Sequence, residues 1–309
     1  MNDLLLHVEL TSRCTLACPA CPRTEWNNLL KRPAIKNDLD VDDFEKFLDC
    51  DEGQKIQGFK LCGDYGDCIY YPDLFKFIRR FRNTKKFIIS TNGSFQTEKF
   101  WNTLAELLTD QDTIIFGIDG LENTNHLYRK NSNWNSIMLG LDIMAKTNVK
   151  IQWQTIVFSF NYNQLETIKS FAEGKGAEFF SLQTHRFGDN SLIPPDQYVE
   201  LNYVYKEDYN NNHDILINPG CANEKAITSD GYLIPCDWIR NPGTFYKSQL
   251  WKQKSRWLDR LDIKNTTYTQ ALLVVEEWAN YVRQSSLNKL PTVDVLCKMK
   301  CREGCEKTI

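Results

Sequence analysis

Short apolar runs punctuate the first two thirds of the chain at Leu4–Leu10, Gly58–Cys62, Phe87–Ser90, Thr113–Ile118, Lys150–Phe158 and Glu178–Thr184. Bounded by turn-forming residues, they read as buried strands. Between them the spacing of apolar residues becomes helical. Leu74, Phe77, Ile78 and Phe81 share one face and follow Pro72, a favoured first-turn residue, while Trp134, Ile137, Met138 and Leu141 repeat at i, i+3, i+4 and i+7. Each stripe reads as packing against a parallel sheet rather than as a cofactor box. The strand–helix alternation predicts an α/β fold.

The polar stretch Asp208–Asp214, with its run of asparagines, marks the expected boundary between a large domain, residues 1–212, and a small one, residues 213–309. No internal repeat and no low-complexity tract is present. With 309 residues the chain is long enough for two cores. Its 37 basic and 40 acidic residues leave no footprint for nucleic acid or an anionic membrane. The first apolar run passes at once into Glu9-Leu-Thr-Ser-Arg13, unlike a signal peptide, and no run reaches membrane length. A cytoplasmic protein is expected, and eleven cysteines there point to metal or redox chemistry rather than a disulfide framework.

Cys14, Cys18 and Cys21 spell C-x3-C-x2-C just after the first apolar run. Three thiolates are one fewer than an iron–sulfur cube usually takes from protein, so one iron would be open to a small chelating ligand. Zinc is the first alternative, although a structural zinc site is closed by four ligands and no second cysteine pair lies nearby. A thioredoxin-like dithiol at Cys18-Pro-Ala-Cys21 is the second, and it would leave Cys14 surplus. Cys50, Cys62 and Cys68 read as small buried or merely tolerated thiols.

The triplet, followed in order by Leu61-Cys-Gly-Asp-Tyr-Gly-Asp67, Ser90-Thr-Asn-Gly93, Gly117-Ile-Asp-Gly120 and a second cysteine group beyond residue 220, resembles the radical S-adenosylmethionine (radical SAM) enzymes, and among them members with a C-terminal SPASM or shorter twitch domain. The resemblance implies a partial, TIM-like (βα)6 barrel whose motifs converge at one mouth. It also implies a [4Fe-4S] cluster on Cys14, Cys18 and Cys21, whose open iron is chelated by the amino and carboxylate groups of S-adenosylmethionine. One-electron reduction there yields a 5′-deoxyadenosyl radical that abstracts a substrate hydrogen.

By the same resemblance, Gly63, Asp64 and Asp67 occupy the place of the family's Gly-Gly-Glu, which receives the methionine amino group, with Asp64 standing for the second glycine. A plain turn between strand and helix is the competing reading of that run. Ser90 and Asn92 would bond the ribose or the methionine carboxylate. Asp119, in a Gly-Ile-Asp-Gly where the family has Ser-Ile-Asp-Gly, would orient cofactor or substrate, or cap a helix. Arg129 stands where relatives contact the S-adenosylmethionine carboxylate, and Gln154 is a polar group on the fifth strand. Ala20 replaces the aromatic that many relatives place against adenine.

Cys221, Gly231 and Cys236 fit the C-x9-15-G-x4-C opening of the auxiliary-cluster domain, with Asp230-Gly231 turning a hairpin between the cysteines. Cys297, Cys301 and Cys305 supply further candidates, five for four places, which favours a single auxiliary cluster, expected as [4Fe-4S]; a four-cysteine zinc site is the alternative. The family implies an oxidoreductase or peptide-modifying activity on a peptide or protein, served by flavodoxin or ferredoxin. A small-molecule dehydrogenase or epimerase acting on an aminoglycoside-like compound is the second reading, and a non-catalytic iron–sulfur or zinc scaffold the third.

Overall fold

The computed structural model describes residues 4–30, 37–182, 192–193, 195, 225–235 and 239–287. The chain divides into two compact units, Met1–Asp38 with Gln57–Asn202, and Leu39–Ile56 with Tyr203–Ile309.

The first unit is built on six strands, β1 (Leu5–Val8), β2 (Gly58–Leu61), β3 (Lys86–Thr91), β4 (Thr113–Gly117), β5 (Lys150–Ile156) and β6 (Glu178–Leu182). They lie in sequential order and every neighbouring pair is parallel. Register follows the burial pattern. On β3, β4 and β5, buried residues such as Phe87, Ile89, Ile114, Phe116 and Trp153 alternate with half-buried Ile88, Ser90, Ile115, Gly117 and Gln154. A one-residue slip would exchange the two sets, so the pattern fixes the register. Helices Leu74–Phe81, Glu98–Leu107, Trp134–Met144 and Leu165–Gly174 separate successive strands. The aromatic rings of Phe59, Phe77, Phe81 and Phe87 pack with centroids 5.0–6.3 Å apart. This is the partial (βα)6 barrel expected from the sequence.

Two local expectations shift. The helix after β2 begins at Leu74 behind Asp73, so Pro72 precedes it instead of occupying its first turn. Strand β1 ends at Val8, and the next residue, Glu9, turns its buried carboxylate onto the backbone N–H groups of Asp64 (2.8 Å) and Tyr65 (3.3 Å).

In the second unit, helix Val41–Leu48 buries Val41, Phe44, Phe47 and Leu48, and Phe47 meets Tyr268 edge-on at 5.6 Å. Tyr268 opens the long helix Tyr268–Leu287. β7 (Ala226–Ile227) and β8 (Leu233–Ile234) form an antiparallel hairpin, turned through Gly231 at φ +84°. That is the hairpin expected at Asp230-Gly231. Among the described residues, no helix is long and apolar enough to cross a membrane.

Candidate active site

The C-terminal ends of the parallel strands surround a cavity of about 340 Å³. Cys14, Cys18 and Cys21 line it together with Gly63, Asp64 and Asp67 from the loop after β2, Ser90 and Asn92 from the end of β3, Arg129, and Gln154 of β5. The cysteine loop is anchored on several sides. Arg13 forks onto Asp38 (Nε to Oδ1 3.0 Å, Nη2 to Oδ2 2.6 Å), while its carbonyl accepts the N–H of Asp67 at 2.8 Å. Ala17 N–H donates to Lys130 O at 3.1 Å, and the Arg23 guanidinium donates to Leu16 O. Cys21 immediately precedes helix Pro22–Leu30, where proline suits the first position.

Two glycines shape the run after β2. A Cβ on Gly63 would collide with the carbonyl of Gly66, and one on Gly66 with the carbonyls of Thr11 and Arg13. The turn therefore packs backbone directly on the cysteine loop, which only glycine allows. Asp67 is buried and its oxygens are occupied: Oδ1 accepts from Ile69 N–H at 3.2 Å, and Oδ2 from Thr91 Oγ1 (3.1 Å), Asn92 N–H (2.7 Å) and Asn92 Nδ2 (2.5 Å). Burial nevertheless pushes its carboxyl up to about 6.

Asp119 does not reach the cavity wall. Fully buried, it accepts Ile156 N–H on Oδ1 (2.7 Å) and Arg129 Nε on Oδ2 (2.6 Å), and so sets the guanidinium that does. Burial is the largest effect on Arg129 and opposes its charge, but Asp119, together with Cys18 and Tyr128, holds the guanidinium above the usual arginine range. A Cβ on Gly117 would lie 2.7 Å from Arg129 Nη2, so a glycine here leaves room for the arginine.

Burial pushes the Cys14 thiol up to about 12 and that of Cys18 up to about 11. A metal would displace those protons on binding. Among the described residues, no three His, Cys, Asp or Glu side chains are gathered tightly enough for a single metal ion. A multi-iron cluster asks for something else, one soft thiolate per iron around a roomy cavity, and the donor set here fits that requirement.

Glu9, Arg23 and Cys62 are among the wall and support residues that the sequence did not point to. Glu9 clamps the Asp64-Tyr65 turn with His7 Nε2 only 3.7 Å away, and His7 Nε2 also lies 2.7 Å from Cys62 O. Arg23 and Cys62 both line the cavity. The one available signal was a carboxylate ending the first apolar run. Cys221, Cys236, Cys297, Cys301 and Cys305 lie outside the described residues.

No family model matches the chain. Among curated proteins it is 30% identical over 125 residues to the tungsten-containing aldehyde ferredoxin oxidoreductase cofactor-modifying protein of Pyrococcus furiosus, covering 40% of this chain and 32% of the relative. It is 24% identical over 207 residues to GTP 3',8-cyclase of Rhizobium leguminosarum bv. trifolii, covering 63% and 56%. These matches span from a third to just over half of the relatives' length. Among solved structures it is similar to Streptococcus suis SuiB bound to S-adenosylmethionine (TM-score 0.56, 14% identity, 77% of this chain and 61% of that one). It is equally similar to anSMEcpe with bound AdoMet and Cp18Cys peptide (TM-score 0.56, 14% identity, 92% and 83%). Both were solved with S-adenosylmethionine bound, and the likeness establishes that this chain has their α/β barrel fold.

The raised carboxyl of Asp67 carries a pH prediction. Its folded pKa of about 6 lies above the ordinary 3.8, so its stabilising contribution is complete below about 4 and is lost as pH rises through 6. The stability of Asp67→Asn relative to the parent should therefore improve by up to about 3 kcal/mol between pH 4 and pH 7, read by urea denaturation at both. A pH-independent difference would contradict it.

Proposed function

We propose that the chain is a radical SAM enzyme. The observation that carries this reading is the meeting of Cys14, Cys18 and Cys21 with the loops after β2, β3 and β4 on one cavity at the strand ends. Cys14, Cys18 and Cys21 would hold a [4Fe-4S] cluster. With S-adenosylmethionine bound, that group would supply one-electron cleavage of the sulfonium to a 5′-deoxyadenosyl radical able to abstract a substrate hydrogen. The chain's own task is to bind, aim and keep water out. The backbone of the Gly63–Gly66 turn would receive the methionine amino group. Arg129, set by Asp119, offers its remaining N–H groups to the methionine carboxylate. Ser90 and Gln154 present polar groups for the ribose, while Ile115, Ile156 and Leu182 make the apolar side of the wall.

A peptide or protein is the proposed substrate, supported by the likeness over 92% of this chain to a structure holding a Cp18Cys peptide. A small molecule is the second reading, supported by the match to GTP 3',8-cyclase. In the small domain, proposed as residues 213–309, Cys221, Cys236 and members of the Cys297, Cys301, Cys305 group hold one auxiliary [4Fe-4S] cluster, a reading that the Gly231 hairpin supports. Flavodoxin or ferredoxin supplies the electron, and the protein works in the cytoplasm.

Anaerobic reconstitution with iron and sulfide, followed by dithionite and S-adenosylmethionine, tests the reading. Iron for two clusters and 5′-deoxyadenosine are expected. Zinc in their place, or iron without nucleoside, would overturn it.

A further inference from the structure

Asn92 makes a contact that its assignment to ribose or carboxylate does not account for. Its Nδ2 lies 3.6 Å from Cys14 Sγ. The orientation of this amide is settled by its neighbours on both sides. Oδ1 accepts Ser94 N–H at 2.9 Å, with Tyr70 Oη at 3.4 Å, and a donor N–H requires an oxygen there. Opposite, Nδ2 meets Asp67 Oδ2 at 2.5 Å, and the backbone N–H of Asn92 reaches the same oxygen at 2.7 Å. Asp67 is in turn fixed by Ile69 N–H and Thr91 Oγ1. Asn92 is only 5% exposed. With one amide hydrogen on the carboxylate, the other is left for the sulfur.

We infer that Asn92 is a positioning residue for the cluster: it ties the Cys14 sulfur to the end of β3 and, by donating to that sulfur, raises the cluster's reduction potential. The inference rests on the radical SAM reading above. A hydrogen bond to a ligating thiolate withdraws negative charge from it and so favours the reduced cluster. A second strut joins the same two segments without touching sulfur. Tyr70 Oη lies 2.8 Å from Thr15 Oγ1 and donates to Ser94 O at 2.5 Å. The two struts separate mechanical support from electronic tuning.

The test is an EPR-monitored redox titration of the reconstituted protein without S-adenosylmethionine, on the parent, Asn92→Ala and Tyr70→Phe. Asn92→Ala should shift the midpoint potential of the cluster on Cys14, Cys18 and Cys21 to a more negative value. Tyr70→Phe should lower iron retention and shift the potential far less than Asn92→Ala, because its hydroxyl touches Asn92 Oδ1 at 3.4 Å but gives no hydrogen to the sulfur. Parent protein carrying ¹⁵N only in asparagine side chains should also show nitrogen coupling to the reduced cluster in pulsed EPR, a readout that survives if Asn92→Ala fails to fold. Equal potentials in parent and Asn92→Ala, or no coupling in the labelled parent, would overturn the inference and leave the radical SAM reading standing. A parent that assembles no [4Fe-4S] cluster would overturn both.

Discussion

Alanine at Cys18 is expected to reduce 5′-deoxyadenosine formation to the reagent background while leaving a folded protein. The thiol sits 6% exposed in a small apolar cluster with Leu16, Ala20, Tyr128, Phe158 and Leu192. Alanine keeps the Cβ and removes one atom from that packing, so the stability cost should be about 1 kcal/mol, the ordinary size for a point change. The chemical cost is of another order. On the proposed function one of three protein ligands is lost, and the site could no longer hold a cube with a single open iron. Iron content should fall by the share belonging to the first cluster. Cys50→Ala supplies the contrast: that residue belongs to the other unit, and nucleoside formation should be unaffected. Nucleoside yield, iron content and melting temperature check all of this together. Retained cleavage in Cys18→Ala would remove the foundation of the proposed function.

Much of the barrel was legible because burial in a parallel sheet writes itself as short apolar runs, and helices packing on it write themselves as stripes such as Leu74, Phe77, Ile78 and Phe81. The cavity was legible for a related reason. Motif residues at the ends of parallel strands converge wherever the strands do, so the barrel implied by the motif resemblance put Gly63, Ser90 and Gln154 on one mouth. What stayed hidden depends on contacts far apart in sequence. Glu9 reads as the polar end of a strand, and only its bonds to Asp64 and Tyr65, more than fifty residues away, show it to be the clamp of that turn. Asp119 carries a motif but acts through Arg129, ten residues on. Asn92 also carries a motif, yet its amide orientation depends on Asp67 and Ser94.

The Asp119–Arg129 pair should give the largest stability effect in the barrel. Asp119→Ala removes acceptors for Ile156 N–H and Arg129 Nε at once, leaving the guanidinium largely buried with its carboxylate gone. Breaking a buried pair from one side costs about 3–5 kcal/mol, because the remaining charge has lost its compensation. Asp119→Asn keeps an oxygen for Ile156 N–H and should lose less. If the uncompensated charge is the main cost, adding Arg129→Met to Asp119→Ala should restore part of the stability, a non-additivity that a double-mutant cycle in urea measures directly. The functional half of the pair separates from the structural half in Arg129→Lys. An ammonium can still neutralise Asp119, but it lacks the planar fork for a carboxylate, so S-adenosylmethionine binding should weaken more than stability does. If Arg129→Lys bound S-adenosylmethionine as tightly as the parent protein, the arginine would be a strut of the β4–β5 end alone, and the carboxylate would have to be held by other residues of the wall.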